Sequence, residues 1–159
     1  MLKIIILILT ILFFGCSEDV LTNDQKLANE IWDEIQGYET WAQDSTFAEI
    51  QSGNSPHGDY VQIWLNETVA NFFKNPDTLE NATLPLGSIL VKEGYSDSDG
   101  KSLNKVTIMK KIDGYDPDHN NWFWANYNSG GELAGNNGAE SMCYNCHASG
   151  KDYILFKDW

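Results

Sequence analysis

The chain reads as an α+β protein: an antiparallel β-sheet with one helix before it and a short helix after it. Three observations predict this. A single amphipathic helix with a capping signature opens the folded region. Strand-like runs separated by turn-forming clusters fill the middle. A short helical segment ending in Cys143-Tyr144-Asn145-Cys146-His147 lies near the C-terminus. No repeat or low-complexity tract interrupts the order, and about 140 residues after the leader suffice for one core.

The leader comes first. Lys3 precedes an apolar run from Ile4 to Phe14, too short to span a bilayer comfortably and typical of a secretory signal. Gly15-Cys16 closes it in the manner of a lipoprotein signal, with Cys16 as the lipidated first residue of the mature chain. The boundaries are therefore 1–15 for the signal peptide, 16–21 for a tether and 22–159 for a single domain. Ser17, Glu18 and Asp19 after the cysteine favour the outer membrane. The expected location is the bacterial periplasm or outer membrane, reached through a lipid anchor.

Thr22-Asn23-Asp24-Gln25 is a capping box, with Thr22 as N-cap and Gln25 at the third helical position. Leu27, Ile31, Ile35 and Tyr38 follow at helical spacing, which predicts a helix over about 23–36 stopped by Gly37. Residues 39–58 read as irregular, ending in the turn cluster Ser52 to Gly58. His57 lies in that cluster and reads as structural or exposed, with haem contact the lesser alternative. Tyr60 to Leu65 alternates as a strand, and Glu67 to Lys74 is a short helix ended before Pro76. Strands follow at Ser88–Tyr95, Lys105–Ile112 and Trp122–Tyr127, separated by turns at 97–100 and 113–118, as an antiparallel meander. A glycine- and asparagine-rich loop leads to the helix at about 139–147. The apolar tail from Asp152 to Phe156 is expected to return as a last strand.

The Cys-x-x-Cys-His pattern is the attachment signature of a c-type haem. Two thiols three residues apart on one helical turn can each add to a haem vinyl group, and His147 then serves as the proximal iron ligand. A thioredoxin-like redox motif would need a flanking βαβ unit, which is missing. A zinc site needs about four ligands, and only His57 and His119 remain to complete one. With Cys16 lipidated and Cys143 and Cys146 on haem, no cysteine is left for a disulfide. Met109 lies inside a strand and Met142 adjoins Cys143, so neither is placed as a sixth iron ligand; the open position points to gas binding or catalysis.

Removing residues 1–15 takes away Lys3 alone and leaves nine basic against 23 acidic residues, a formal charge of −14. Such a surface repels phosphates, so nucleic acid is excluded as a partner. It suits solubility, as in many exported proteins that are simply acidic, with a basic redox partner the lesser alternative.

Further pieces add to the haem motif: Pro56-His57-Gly58 before a strand that ends at Asn66, Leu84-Pro85-Leu86-Gly87-Ser88-Ile89-Leu90-Val91-Lys92-Glu93, Met109-Lys110-Lys111, Gly114-Tyr115-Asp116-Pro117, Asn121-Trp122 and Asp152-Tyr153. Together, over roughly residues 56–156, the chain resembles the cytochrome P-460 family and its relative cytochrome c′-beta. The resemblance implies a β-sheet with helices, one covalently attached haem c on His147, and a five-coordinate iron. In the P-460 branch a lysine is joined to the porphyrin, and the enzymes oxidise hydroxylamine with an acidic distal residue for proton transfer. The c′-beta branch lacks the link, has a phenylalanine-capped pocket and binds nitric oxide. Lys92 is the candidate for the cross-link: Leu90 and Lys92 share one strand face while Ile89, Val91 and Glu93 share the other, so Lys92 faces the haem if Leu90 does. The alternative is a strand-end lysine that snorkels to solvent beside Glu93. Lys110 and Lys111 are weaker candidates. Glu93 and Asp118 are the candidate acids, with Asp116 behind them. Phe72, Phe73 and Phe123 are candidate walls for a nitric-oxide pocket. The expected partners are a small nitrogen-oxide ligand or substrate and a periplasmic electron acceptor; a homodimer is allowed.

Overall fold

The computed structural model describes residues 20–45, 47–75, 83–135 and 137–156. The expected signal peptide, the expected lipidation site Cys16 and most of the expected tether lie outside the described residues.

Helix α1 spans Asn23–Glu34, and the capping box forms as its sequence dictates: Gln25 N donates to Thr22 Oγ1, and Thr22 N donates to Gln25 Oε1. Ile35 caps its far end, and Gly37 follows at φ 83°, a left-handed conformation that costs glycine little. Strand β1 is the two-residue pair Gln51–Ser52, inside the stretch expected to be irregular. Strand β2, Tyr60–Leu65, leads into α2, Glu67–Lys74, whose N-cap Asn66 accepts from Val69 N. Strands β3, Ile89–Tyr95, β4, Leu103–Lys111, and β5, Trp122–Asn128, complete the sheet, and α3, Ser141–His147, follows. All neighbours pair antiparallel in the order β1-β2-β3-β4-β5, a plain meander.

Register sorts the side chains onto two faces. Lys92 pairs with Ile63 and Thr107, and Thr107 pairs with Asn126. Alternation therefore puts Ile63, Leu90, Lys92, Thr107, Met109, Trp124 and Asn126 on one face. Val91, Val106, Ile108, Phe123, Ala125 and Tyr127 share the other, where they pack on Ala28, Ile31 and Ile35 of α1. Each large apolar side chain buried there stabilises by roughly 1.5–3 kcal/mol. The first face packs on Val69 and Phe72 of α2, on Leu84 and on the C-terminal tail.

The tail corrects the expectation of a final strand. Asp152 and Tyr153 lie at φ 49° and 65°, so the backbone hooks instead of extending. One isolated bridge, Lys151 with Ile154, closes the hook. A buried ion pair accounts for it: Lys111 Nζ lies 2.7 Å from Asp152 Oδ2. Leu84 N and Asn120 Nδ2 donate to the same carboxylate at 2.7 and 2.8 Å. Lys110 points the opposite way, to Glu34 of α1. Neither lysine is free for a cross-link.

Candidate functional site

Helix α3 and the hook bring the Cys-x-x-Cys-His residues against the first sheet face. Tyr144 stacks on His119 with ring centroids 3.7 Å apart, which fixes the helix to the turn at Pro117–His119. His119 is thus committed to packing, and its Nδ1 lies 2.8 Å from Asp116. Cys143, Cys146 and His147 converge on a cavity of about 450 Å³, whose sheet wall includes Leu90, Lys92, Thr107 and Met109. That volume falls within the roughly 300–1,000 Å³ of small-molecule and cofactor sites.

His147 is buried and held by the hook: its Nδ1 donates to the Tyr153 carbonyl oxygen at 2.8 Å. Burial lowers its pKa, and the carbonyl contact opposes that in part. A neutral imidazole with Nδ1–H pinned on a carbonyl presents an Nε2 lone pair, the arrangement metal-ligating histidines use. Burial, then Glu140 and Cys146, push the Cys143 thiol up to about 11. A redox Cys-x-x-Cys works through a depressed thiol pKa, so this shift runs against that reading.

The fit of a haem can be tested on two further groups. Trp124 Nε1 is buried with no hydrogen-bond partner among the described residues, although Trp124 lines the cavity with its ring 4.9 Å from that of His147. A buried donor left unmet by the protein calls for a partner, and a bound group carrying carboxylate arms can supply one. Lys92 is half-buried and lines the same cavity. Desolvation pulls its pKa below the ordinary lysine value, and Cys146 opposes this. The donor set and these groups fit a covalently held haem.

The structure brings some sequence candidates together and separates others. Lys92 joins Cys143, Cys146 and His147. Glu93 does not: it is buried on the α1 face, where it accepts from Tyr38 Oη, Trp64 Nε1 and Tyr95 Oη at 2.9, 2.8 and 2.7 Å. Burial, then the hydrogen bond to Glu93, raises the pKa of Tyr95 above its ordinary value. Asp118 is exposed on its turn and does not line the cavity. Phe123 is also on the α1 face, packed on Tyr115. Phe72 and Phe73 lie on the cavity side but behind its wall; Phe156 lines the cavity, with Phe73 and Phe47 against it.

Glu140 escaped the sequence reading, and His57, read there as structural or exposed with haem contact the lesser alternative, also lines the cavity. Glu140 precedes α3 and is the one carboxylate lining the cavity among the described residues. Its position next to the haem motif was a usable signal. His57 Nδ1 lies 3.1 Å from Thr107 Oγ1. Burial, reinforced by Lys92, His147 and Lys105, brings its pKa down to about 3. Nothing local in the sequence announces a contact across fifty residues.

A family model described as Cytochrome P460 matches residues 35–159. No curated protein sequence matches the chain.

Proposed function

This chain belongs to the cytochrome P460 family, and from that premise we propose that it is an exported, lipid-anchored cytochrome with one covalent haem c that oxidises hydroxylamine or a related small nitrogen compound. The observation that carries the reading is the meeting of Lys92 with Cys143, Cys146 and His147 on one cavity. When bound, haem supplies an iron centre that takes electrons from the nitrogen compound and hands them to a periplasmic acceptor.

The protein's own residues have separable roles. Cys143 and Cys146 hold the porphyrin edge through thioethers. His147, oriented by the Tyr153 carbonyl, holds the iron. Lys92 presents an amine whose charge is destabilised by burial, which a nucleophile for a link to the ring requires. Glu140 takes the part of proton carrier first assigned to Glu93 and Asp118. Leu90, Met109 and Phe156 keep water from the reacting side.

A second reading is favoured by one observation. The sheet and tail walls of the cavity are largely apolar, and neither Glu93 nor Asp118 reaches it. Such a pocket suits nitric oxide binding without catalysis, in the manner of cytochrome c′-beta.

The test is an absorption spectrum of the holoprotein before and after hydroxylamine, with a dye as electron acceptor. Catalytic dye reduction is expected. A dye that stays oxidised, in a protein that still binds nitric oxide, would leave the binding reading standing alone.

A further inference from the structure

The cavity face of the sheet changes character along its strands. From the end of β4 towards its start, Met109, Thr107 and Lys105 follow one another on this face. Their partners on β3 are Leu90, Lys92 and Gly94, and those on β5 are Trp124, Asn126 and Asn128. One end is apolar, the other polar and cationic. Lys105 stands about 14 Å from Met109 along the strand, at roughly 3.4 Å per residue.

Lys92 and Lys105 are the cations that line the cavity among the described residues. Lys101, Lys110 and Lys111 each have a carboxylate partner; Lys92 and Lys105 have none among the described residues. The chain has 23 acidic residues against 10 basic ones, so carboxylates are plentiful. Two unpaired ammonium groups on one cavity of such a chain call for an anion from outside it. Lys92 is committed to the ring on the reading above, so Lys105 is the charge that remains.

The stem of Lys105 is fixed in place. A Cβ at Gly94 would lie 1.7 Å from the His57 carbonyl oxygen and 3.1 Å from Lys105 Cγ, so glycine alone leaves room for the loop and the lysine stem together. Gly58 and Gly53 close up the same loop: Cβ atoms there would lie 2.9 Å from Gly94 Cα and 2.4 Å from the Gly58 carbonyl oxygen. The stem ends where Lys105 Nζ donates to the Pro56 carbonyl oxygen at 2.7 Å. An ammonium has three protons, and this bond uses one. Pro56 lines the cavity as Lys105 does, so the other protons lie at its rim.

Helix α3 is fixed at the opposite end of the face. Tyr144 stacks on His119 in the turn between β4 and β5, and Cys143 and Tyr144 pack on the cluster that holds Met109 and Trp122. A haem has the vinyl groups that cysteines take on one edge and its two propionate arms on the edge opposite. A ring held by Cys143 near Met109 therefore directs its arms towards Lys105.

We infer that Lys105 is the cationic anchor of one haem propionate, with the carboxylate edge of the haem over the start of β4. The inference rests on the cavity being the haem site and deepens the reading of its function. A positive charge held at the ring edge favours the reduced iron, so Lys105 raises the potential at which the site takes electrons from a nitrogen compound. The same ammonium holds the Pro56 carbonyl, so it also fastens the His57 loop to the bound group.

The test uses the purified holoprotein. A carbodiimide joins a carboxylate to an amine in contact with it, the reagent taking up the water that is lost, and haem-peptide mapping then identifies the amine. An amide between a propionate and Lys105 is expected. The propionate bending bands of the resonance Raman spectrum should shift in Lys105→Met and return in Lys105→Arg, and the midpoint potential should fall in Lys105→Met. A lysine that only held the loop would give no amide and leave the bands in place. If the variant does not hold haem, the wild-type coupling decides alone. No amide at Lys105, or bands unmoved in Lys105→Met, would overturn the inference. Unmoved bands in protein that still oxidises hydroxylamine would sink this inference and spare the proposed function; a Lys105 amide in protein without turnover or nitric oxide binding would do the reverse.

Discussion

The two faces of the sheet are made by the same five strands, yet they treat buried polar groups in opposite ways. On the α1 face the carboxylate of Glu93 meets three donors, from Tyr38, Trp64 and Tyr95, and around it lie aliphatic and aromatic side chains with almost no exposure. On the cavity face Trp124 Nε1 lacks a partner among the described residues, and Lys92 faces a cavity instead of a counter-charge. A buried polar group without a partner costs about 1–3 kcal/mol. Buried atoms without a partner among the described residues also occur away from the cavity, at Gln43, Ser88 and Asn121. What marks the functional face is the convergence of Lys92, His57, His147 and Trp124 on one cavity.

The largest effect expected from this contrast is all-or-none. The double variant Cys143→Ser with Cys146→Ser should lose haem-dependent peroxidase staining on a denaturing gel, whereas wild type keeps it. Staining that survived in the variant would detach the cavity from covalent haem.

Asp152→Ala comes next. It removes the partner of buried Lys111 and an acceptor of three further donors, so it should destabilise by roughly 3–5 kcal/mol in denaturant unfolding. Because the hook also sets the Tyr153 carbonyl that orients His147, the haem spectrum should change as well. A variant that lost stability and kept an unaltered spectrum would separate the hook from the iron ligand.

Glu93→Ala sharpens the comparison from the other face. It strands three buried donors and should cost roughly 1–3 kcal/mol. The haem spectrum and any hydroxylamine turnover should stay as in wild type. Loss of turnover without loss of stability would mean that the faces are not independent.

Gly94→Ala should cost no more than Glu93→Ala and act most locally. Its methyl group would meet the His57 carbonyl, so the loop must lift. A cost of about 1–3 kcal/mol is expected from such overpacking. The absorption spectrum of the holoprotein should shift, because the displaced loop lines the cavity.

Much of this contrast was legible in the sequence. The capping box at Thr22 and Gln25, the alternation in β2 to β5 and the intervening turn residues are local signals, and they formed where local chemistry put them. Alternation in Ile89 to Glu93 also separated Lys92 from Glu93, so naming both as cavity residues asked one strand to face two ways. The rest depends on distant partners. The hook at Asp152 is imposed by Lys111, and an apolar tail read alone looks like a strand. His57 reaches Thr107 only because Gly53, Gly58 and Gly94 let two backbones touch, and a glycine does not name what it makes room for. Glu140 becomes a cavity residue through the loop that leads into α3, which has no periodicity to read.

The measurement that bears most directly on the central claim is proteolytic mapping of the haem peptide by mass spectrometry, with Lys92→Ala as control. The account predicts one haem bearing two peptides, one containing Cys143 to His147 and one containing Lys92, with the second lost in the variant. A haem released with the Cys143–His147 peptide alone from wild type would contradict the link, remove hydroxylamine oxidation from the account and leave nitric oxide binding as the function of the cavity.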